Sequence, residues 1–148
     1  MEEADKTRTY LILDEGNIYN ENENFRILGY FSLANKSLSV KDNGNISKTK
    51  IQELDGISKK VDIIDCYLIG QLGKNDCYKN EIDGKTILDS AIDILEKAKS
   101  FVGKRVVLVE AVDDEKVMQF YIDNGFTKVS EYRPPFSSEK LHQLVRRI

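Results

Sequence analysis

The stretch that decides the fold runs from Asp62 to Phe126 and opens with Ile63-Ile64-Asp65-Cys66-Tyr67-Leu68-Ile69-Gly70-Gln71-Leu72, a continuous β-prone run. A polar loop, residues 73–84, separates it from Lys85–Phe101, whose apolar residues recur at helical spacing. A second apolar run, Arg105–Ala111, and a shorter helical segment follow. The pattern predicts a right-handed strand–helix–strand crossover with two parallel strands. Since the loop before the helix then lies at the carboxyl end of a strand, we expect a ligand site there.

Strand-forming segments flank this unit on both sides. Thr9–Leu13 and Phe25–Ala34 are rich in β-branched and aromatic residues, and their closeness in the chain predicts an antiparallel hairpin. Thr127–Tyr132 and Leu141–Ile148 predict two final strands that pair with each other. The sequence therefore predicts one α/β (α+β) domain over residues 1–148, in which a hairpin precedes a β-α-β-α-β-β order in a mixed sheet.

Residues 35–60 have the weakest pattern in the chain. They contain Asn43-Gly44-Asn45 and several Ser and Lys residues, which is typical of loops. We expect a mobile loop with a short strand at Ser37–Val40 and one helical turn near Lys50–Leu54. Such a segment is either a lid over a site or an ordinary surface excursion. Gly29, inside the preceding strand, indicates a bulge or a close backbone approach.

The composition is that of a globular domain, with 41% hydrophobic and 32% charged residues. No apolar run approaches the roughly 18 residues of a membrane helix, and the acidic start does not resemble a signal peptide, so the sequence predicts a cytoplasmic protein. The net charge of −3 argues against a strong overall attraction to nucleic acid. Cys66, Cys77 and His142 lack metal-ligand spacing. We interpret Cys66 as a packed thiol, Cys77 as a loop thiol and His142 as a surface or edge-strand residue.

The segment Phe120-Tyr121-Ile122-Asp123-Asn124-Gly125-Phe126 carries the most specific motif. It resembles the aromatic-Tyr-x-x-x-Gly-Phe signature of the GCN5-related N-acetyltransferases (GNAT), and the order of elements over residues 9–148 is similar to the acyl-CoA N-acyltransferase-like fold of that family. Within the family, the chain looks closest to the bacterial branch that includes the acetyltransferase toxins of toxin–antitoxin pairs. The resemblance implies acetyl-CoA as cofactor and an amine acceptor, which is a small molecule, a protein or an aminoacyl-tRNA. It also implies an antitoxin-like partner, and it leaves homodimerisation open.

The resemblance also implies roles for particular residues. Tyr121 is the expected general acid that protonates the departing thiolate. Independently of the resemblance, Glu110 at the end of the second crossover strand is the best placed general base, with Asp65 within the first strand as the alternative. The end of the central strand is expected to contact the pantetheine arm, and the loop after it to bind the pyrophosphate. The cofactor-binding residues expected on this basis are Leu72, Gly73, Lys74, Lys79, Asn80, Glu81, Ile82, Asp83, Gly84, Lys85 and Asp114.

Two features depart from the family pattern. The pyrophosphate loop of the family reads Gln/Arg-x-x-Gly-x-Gly/Ala, whereas residues 79–84 keep only the last glycine and have Ile82 at the earlier one. The unsatisfied amides of a helix N-terminus still favour an anion, and Lys79 and Lys85 add positive charge. Glu81 and Asp83, in contrast, repel a phosphate if they face it. Secondly, the family usually has a strand and one or two helices before the hairpin, and we expect these helices, which line the acceptor side in the family, to be absent here.

These departures leave several functions open. The favoured one is an N-acetyltransferase in which the amine attacks the thioester directly in a ternary complex. The alternatives are a catalytically degenerate GNAT-fold binding or regulatory protein, a toxin-like enzyme held by an antitoxin, and a fragment of a longer chain. Four basic residues near the C-terminus either contact the phosphates of a tRNA acceptor or form a solvated charged end. They are Arg133, Lys140, Arg146 and Arg147.

Overall fold

The computed structural model describes residues 6–14, 26–40, 50, 53–54 and 62–148. Its elements in chain order are β1 (Thr7–Leu13), β2 (Ile27–Ser39), β3 (Ile63–Lys74), a 3₁₀ turn (Asp76–Tyr78), α1 (Gly84–Val102), β4 (Val106–Val112), α2 (Glu115–Asp123), β5 (Thr127–Tyr132) and β6 (Leu141–Arg147). The strands form one mixed six-stranded sheet in the order β1-β2-β3-β4-β6-β5. The predicted fold class is confirmed, and β3 and β4 are neighbours joined by α1. None of the helices described is long and apolar enough to cross a membrane.

The chain divides into two compact units, whose boundaries fall within β2, within β3 and at the end of α1. The first unit consists of Met1–Ala34 and Ile69–Phe101, and the second of Asn35–Leu68 and Val102–Ile148. In the first unit, the predicted hairpin is confirmed because β1 and β2 pair antiparallel. Each unit has its own set of buried side chains.

A β-bulge interrupts the hairpin of the first unit. Ile12 pairs with Gly29, but the next residue, Leu13, pairs with Ile27, so that Leu28 is the extra residue of β2. A Cβ atom on Gly29 would lie 3.0 Å from the backbone oxygen of Gly73 on β3 and 2.7 Å from Cδ1 of Ile87 on α1. Gly29 therefore marks both of the features expected from the sequence, a bulge and a close approach.

The helix α1 buries one face and has the ends that the sequence predicts. Asp83 caps its first turn by accepting a hydrogen bond from the amide of Thr86 at 2.7 Å. Gly103 follows the helix with φ +79°, the left-handed conformation that glycine adopts easily. The buried residues of the helix follow helical spacing and are Ile87, Leu88, Ala91, Ile92 and Leu95.

The second unit contains an antiparallel three-stranded portion of the sheet. β6 pairs with β4 on one side and β5 on the other, which confirms the prediction that the two final strands pair. Cys66 has no exposed surface, as expected, and burial raises the pKa of its thiol to about 12. The buried cluster of this unit consists of Leu38, Val40, Leu54, Ile64, Cys66, Val106, Leu108, Val129 and Val145.

The structure corrects the boundaries of two predicted loops. β2 continues to Ser39, so residues 35–39 are strand and the predicted short strand is its continuation. β3 continues to Lys74, which places Gly73 and Lys74 in a strand. Lys50, Glu53 and Leu54 are helical, in agreement with the predicted turn. The predicted lid rests mainly on residues 41–49, 51–52 and 55–60, which lie outside the residues described.

His142 does not have the surface or edge position that the sequence suggested. It lies on β6, between β4 and β5, and its side chain is nearly buried at 5% exposure. Its Nε2 atom is 2.8 Å from a carboxylate oxygen of Asp113, and its Nδ1 atom is 3.5 Å from Glu131. The prediction failed because both partners are distant in sequence, so that no local pattern marks them.

Candidate active site

A cleft of about 600 Å³ lies in the first unit at the N-terminus of α1. This volume is in the range of small-molecule sites, roughly 300–1,000 Å³. Six of the expected cofactor-binding residues line the cleft, together with three that sequence reasoning missed. The nine residues are Ile12, Leu28, Lys74, Lys79, Asn80, Glu81, Ile82, Asp83 and Thr86. The three missed residues are Ile12, Leu28 and Thr86.

Asn75 fixes the chain where it leaves β3 and enters the cleft loop. Its amide donates a hydrogen bond to the carbonyl of Leu28 at 2.9 Å, and its side-chain Nδ2 donates to the carbonyl of Ile27 at 2.7 Å. Its Oδ1 accepts from the amide of Cys77 at 3.0 Å. One side chain thus ties the 3₁₀ turn to the bulged start of β2, so the loop begins at a fixed point.

Asp83 faces the helix rather than a ligand. Its Oδ1 accepts hydrogen bonds from the amide and the hydroxyl of Thr86, at 2.7 and 2.6 Å. These hydrogen bonds hold the pKa of the carboxyl below its usual range, and Lys74 and Lys85 add a smaller effect. The amides of Gly84 and Lys85, which also belong to the first turn, have no partner within the helix because no carbonyl precedes them at the required spacing.

Glu81, the second acidic residue of the loop, is paired with Arg26. Nη1 of Arg26 lies 2.9 and 3.0 Å from the two carboxylate oxygens of Glu81. Nη2 of Arg26 donates to Asp14, and the guanidinium lies over the ring of Tyr78, 5.1 Å from its centroid. The negative charge that the sequence places in the loop is therefore compensated by a residue 55 positions away.

Lys74 and Lys79 supply positive charge to the cleft, whereas Lys85 does not line it. Nζ of Lys74 lies 3.5 Å from the carbonyl of Lys79, at the edge of a hydrogen bond. The ammonium of Lys85 instead pairs with Asp89 at 2.6 Å on the exposed side of α1. Among the other expected cofactor-binding residues, Leu72, Gly73, Gly84 and Asp114 do not line the cleft either.

Gly73 and Asp114 have clear structural roles. A Cβ atom on Gly73 would lie 2.8 Å from Oη of Tyr30, so a side chain at the strand end requires the Tyr30 ring to shift. Asp114 caps α2 in the second unit by accepting hydrogen bonds from the amides of Lys116 and Val117, at 2.8 and 3.2 Å. Its carboxylate is therefore used within its own helix.

Tyr121 lies on α2 in the second unit and is held by two aromatic rings. It makes edge-to-face contacts with Phe120 and Phe126, at centroid distances of 5.1 and 5.5 Å. Burial raises the pKa of its phenol, so the group is protonated at neutral pH. Among the residues described, none forms a hydrogen bond with its hydroxyl. The side chain thus has a fixed ring and a proton available for donation.

Glu110 is an ion-paired carboxylate on β4. Its oxygens lie 2.6 Å from Nζ of Lys36 and 3.2 Å from Nε2 of Gln143. Burial disfavours the charged form, but hydrogen bonds with Lys36 and Tyr132 outweigh it and hold the pKa of Glu110 below its usual range. Such a carboxylate is ionised at neutral pH and is a weaker base than an unpaired one. Asp65, the alternative base, accepts a hydrogen bond from Ser37 at 3.0 Å.

Three of the four basic residues near the C-terminus are engaged within the protein. Lys140 pairs with Glu131 at 3.1 Å, and Nη1 of Arg146 donates to the carbonyl of Asn124 at 3.2 Å. Arg133 donates to the carbonyl of Ser138. Across the described ranges, no cluster of His, Cys, Asp or Glu could hold a metal ion.

Sequence reasoning missed the residues that act across long chain separations. Arg26 and Lys36 each pair with an acidic residue on a distant element, and a single sequence contains no signal for such pairs. Thr86 was detectable, because it stands three positions after the predicted helix cap Asp83, where a capping side chain finds its donor. The bulge that brings Leu28 to the cleft was indicated only through Gly29.

No protein-family model matches this sequence, and no curated protein matches it. Solved structures do match. AtaT in complex with acetyl-methionyl-tRNAfMet has a TM-score of 0.64 at 21% identity, over 93% of this chain and 70% of that one. A tyrosine mutant of KacT has a TM-score of 0.64 at 19% identity, over 93% and 71% of the two chains. An acetyltransferase from Bacillus cereus has a TM-score of 0.55 at 11% identity, over 96% and 73%.

At these identities the likeness establishes the fold. The structural match extends over 93–96% of this chain. The structure thus agrees with the resemblance noted in the sequence. The chain has the acyl-CoA N-acyltransferase-like fold of the GNAT acetyltransferases.

Proposed function

We propose that this protein is an N-acetyltransferase that moves an acetyl group from acetyl-CoA to an amine. The observation that carries the proposal is the cleft at the N-terminus of α1, which is lined by residues that the GNAT resemblance assigns to the cofactor. Solved neighbours support the choice of ligand, since one is an AtaT mutant bound to acetyl-CoA and another is the NatC complex bound to CoA.

Several groups at the cleft suit coenzyme A. Lys74 and Lys79 provide positive charge within the lining. The first-turn amides of Gly84 and Lys85, which have no partner within the helix, belong to the same helix N-terminus and would be donors for a pyrophosphate placed there. Ile12, Leu28 and Ile82 provide apolar surface for the rest of the ligand. When bound, acetyl-CoA supplies an activated thioester, and the protein supplies position and proton transfer.

In the proposed reaction, the amine nitrogen attacks the thioester carbonyl directly, and the carbon–sulfur bond then breaks. Tyr121 donates its phenolic proton to the departing thiolate. Burial raises the pKa of this phenol, so it carries its proton at neutral pH. Glu110 is the proposed acceptor of the amine proton, through water. Because its pKa is lowered, it is ionised but weakly basic, so we assign most of the rate enhancement to the positioning of both substrates.

For the acceptor we propose the amino group of an aminoacyl-tRNA, and for the partner an antitoxin-like protein. The support comes from the neighbours, which include AtaT complexed with acetyl-methionyl-tRNAfMet. They also include AtaT bound to the C-terminus of the antitoxin AtaR, and a KacTA–DNA complex. The acceptor class and the partner both depend on the proposed acetyl transfer.

The decisive experiment is calorimetric titration with acetyl-CoA. We expect saturable binding by the natural chain and a Kd about tenfold weaker or more for Ile82→Trp, which fills the cleft. The matched control is Ile63→Trp, because Ile63 is exposed on β3 and does not line the cleft. Transfer of labelled acetyl groups to a panel of aminoacylated tRNAs, free amino acids and peptides then identifies the acceptor.

A catalytically degenerate binding protein is the second candidate. Two features favour it. Glu110 is engaged in an ion pair, which makes it a weaker base, and the cleft loop carries acidic residues, which repel an anionic ligand. A folded protein that binds no acetyl-CoA at millimolar concentration would support this candidate and overturn the enzyme proposal.

A further inference from the structure

Arg26 connects three parts of the first unit. Its guanidinium bonds both Glu81 in the cleft loop and Asp14 at the end of β1, and it lies 5.1 Å from the centroid of Tyr78 in the 3₁₀ turn. Its own carbonyl accepts a hydrogen bond from the amide of Asp14 at 3.0 Å. The arginine is therefore held at several points, and the loop is tied through it to the hairpin.

Arg26 acts on the cleft through Glu81. Glu81 lines the cleft and its side chain is 42% exposed, whereas Arg26 is not one of the lining residues. The Nη1 group of Arg26 contacts both carboxylate oxygens of Glu81, and its Nη2 group is bonded to Asp14. The guanidinium is thus engaged with protein groups, which makes it a positioning residue.

The charge of Glu81 is the main electrostatic obstacle to an anionic ligand in this cleft. The lining cations Lys74 and Lys79 are matched by two lining carboxylates, Glu81 and Asp83, so the lining alone has no excess positive charge. Asp83 is engaged as the helix cap. Glu81 differs, because its only charge partner among the described residues is Arg26.

We propose that Arg26 makes this loop competent to bind a nucleotide diphosphate, by neutralising Glu81 and fixing the loop at the N-terminus of α1. The ion pair compensates for a loop that carries the charge of Glu81 and has Ile82 where the family pattern has its first glycine. This inference rests on the proposed function, because the ligand is the diphosphate portion of coenzyme A. It adds a residue to the site, 55 positions before Glu81 in the chain, that no motif indicates.

The test is a double-mutant cycle read by calorimetric titration with coenzyme A. We expect the Kd of Arg26→Gln to rise about tenfold or more, because it leaves the Glu81 charge uncompensated. Glu81→Gln should bind as well as the natural chain or more tightly. Arg26→Gln/Glu81→Gln should return to within about threefold of Glu81→Gln. The matched control is Lys97→Gln, which removes an exposed cation of α1 that does not line the cleft.

The outcomes separate this inference from the proposed function. Rescue of Arg26→Gln by Glu81→Gln supports the inference, because a merely damaged fold would not recover when a second residue is changed. An unchanged Kd in Arg26→Gln, or a defect that Glu81→Gln does not rescue, overturns it while natural-chain binding still supports the proposed function. A natural chain that binds no coenzyme A overturns both. Melting temperatures of all five proteins identify any variant that fails to fold.

Discussion

The ammonium of Lys36 lies 2.6 Å from the carboxylate of Glu110, although the two residues are 74 positions apart. Lys36 is on β2 and Glu110 on β4, with β3 between these strands in the sheet. Gln143 and Tyr132 add hydrogen bonds at 3.2 and 3.3 Å, to Glu110 and Lys36 respectively. Because the side chain of Glu110 is only 14% exposed, its charge depends on these partners.

Replacement of Lys36 by methionine should destabilise the protein by about 2 kcal/mol. Breaking a fully buried ion pair removes about 3–5 kcal/mol, because it leaves one charge buried alone, and we expect less here since the pair is partly solvated. Lys36 itself is 35% exposed. The free energy of unfolding in urea measures the effect.

The double variant Lys36→Met/Glu110→Leu is the control, because it removes both charges and fills the space with apolar groups. It should lose less stability than Lys36→Met alone. If the double variant loses as much stability as Lys36→Met or more, the interpretation is wrong. Glu110→Gln, which keeps the shape of the side chain, tests the proposed role of this residue as a base by its effect on kcat.

Tyr121→Phe should lower kcat about 100-fold while the Kd for acetyl-CoA stays unchanged, since a general acid contributes roughly 10²–10⁴. The substitution removes only the hydroxyl and keeps the ring contacts with Phe120 and Phe126. Tyr10→Phe is the control, because Tyr10 stacks on Phe31 in the hairpin and has no proposed catalytic part. Single-turnover kinetics with the identified acceptor give both quantities. Equal loss in the two variants, or none in Tyr121→Phe, would exclude Tyr121 as the acid.

The elements were predictable from the sequence because their signals are local. The apolar spacing in α1, the cap Asp83 and the stop Gly103 all lie within or next to one helix. The same holds for α2, where Asp114 caps the first turn and Gly125 ends the helix with φ +89°. Local patterns also predicted both edges of the sheet, since hairpin partners follow each other in the chain.

The pairings at the candidate site were not predictable, because they join residues far apart in sequence. Glu81 was expected to repel a phosphate if it faced one, and the structure pairs it with Arg26. Lys85 was expected to pair with a phosphate of the ligand, but its ammonium pairs with Asp89, one turn later, on the exposed side. In both cases the sequence shows the charge but not its partner. The partner decides what the charge does.

Gly73→Ala should lower stability by about 1–3 kcal/mol and weaken the binding of acetyl-CoA. The added Cβ atom would lie 2.8 Å from Oη and 2.9 Å from Cζ of Tyr30, so the end of β3 or the ring must move. Since β3 leads directly into the cleft loop, a shift there displaces Lys74. Thermal unfolding and calorimetric titration of the same preparation measure the two effects.

Gly103→Ala provides the comparison for this variant. Gly103 has φ +79°, and no atom lies within 4 Å of the position that a Cβ would take, so alanine there meets only backbone strain, about 1 kcal/mol. It should reduce stability without changing the affinity for acetyl-CoA. An affinity loss in both variants would show that binding follows stability alone, and the argument from the strand end would then fail.

The pH dependence of stability should contain a contribution from Glu131. Hydrogen bonds from Lys128 and Lys140, at 2.9 and 3.1 Å, lower the pKa of its carboxyl to about 2. A carboxyl whose pKa is lower in the folded than in the unfolded chain stabilises the fold above its unfolded pKa, about 4.3. That contribution is lost as the pH falls from there towards 2. The difference in melting temperature between the natural chain and Glu131→Gln should therefore be largest near pH 6 and vanish towards pH 2.

Lys128→Gln/Lys140→Gln should remove the same pH dependence, because it removes the donors that lower the pKa of Glu131. If the difference between the natural chain and Glu131→Gln is constant from pH 6 to pH 3, or grows as the pH falls, Glu131 has no such role.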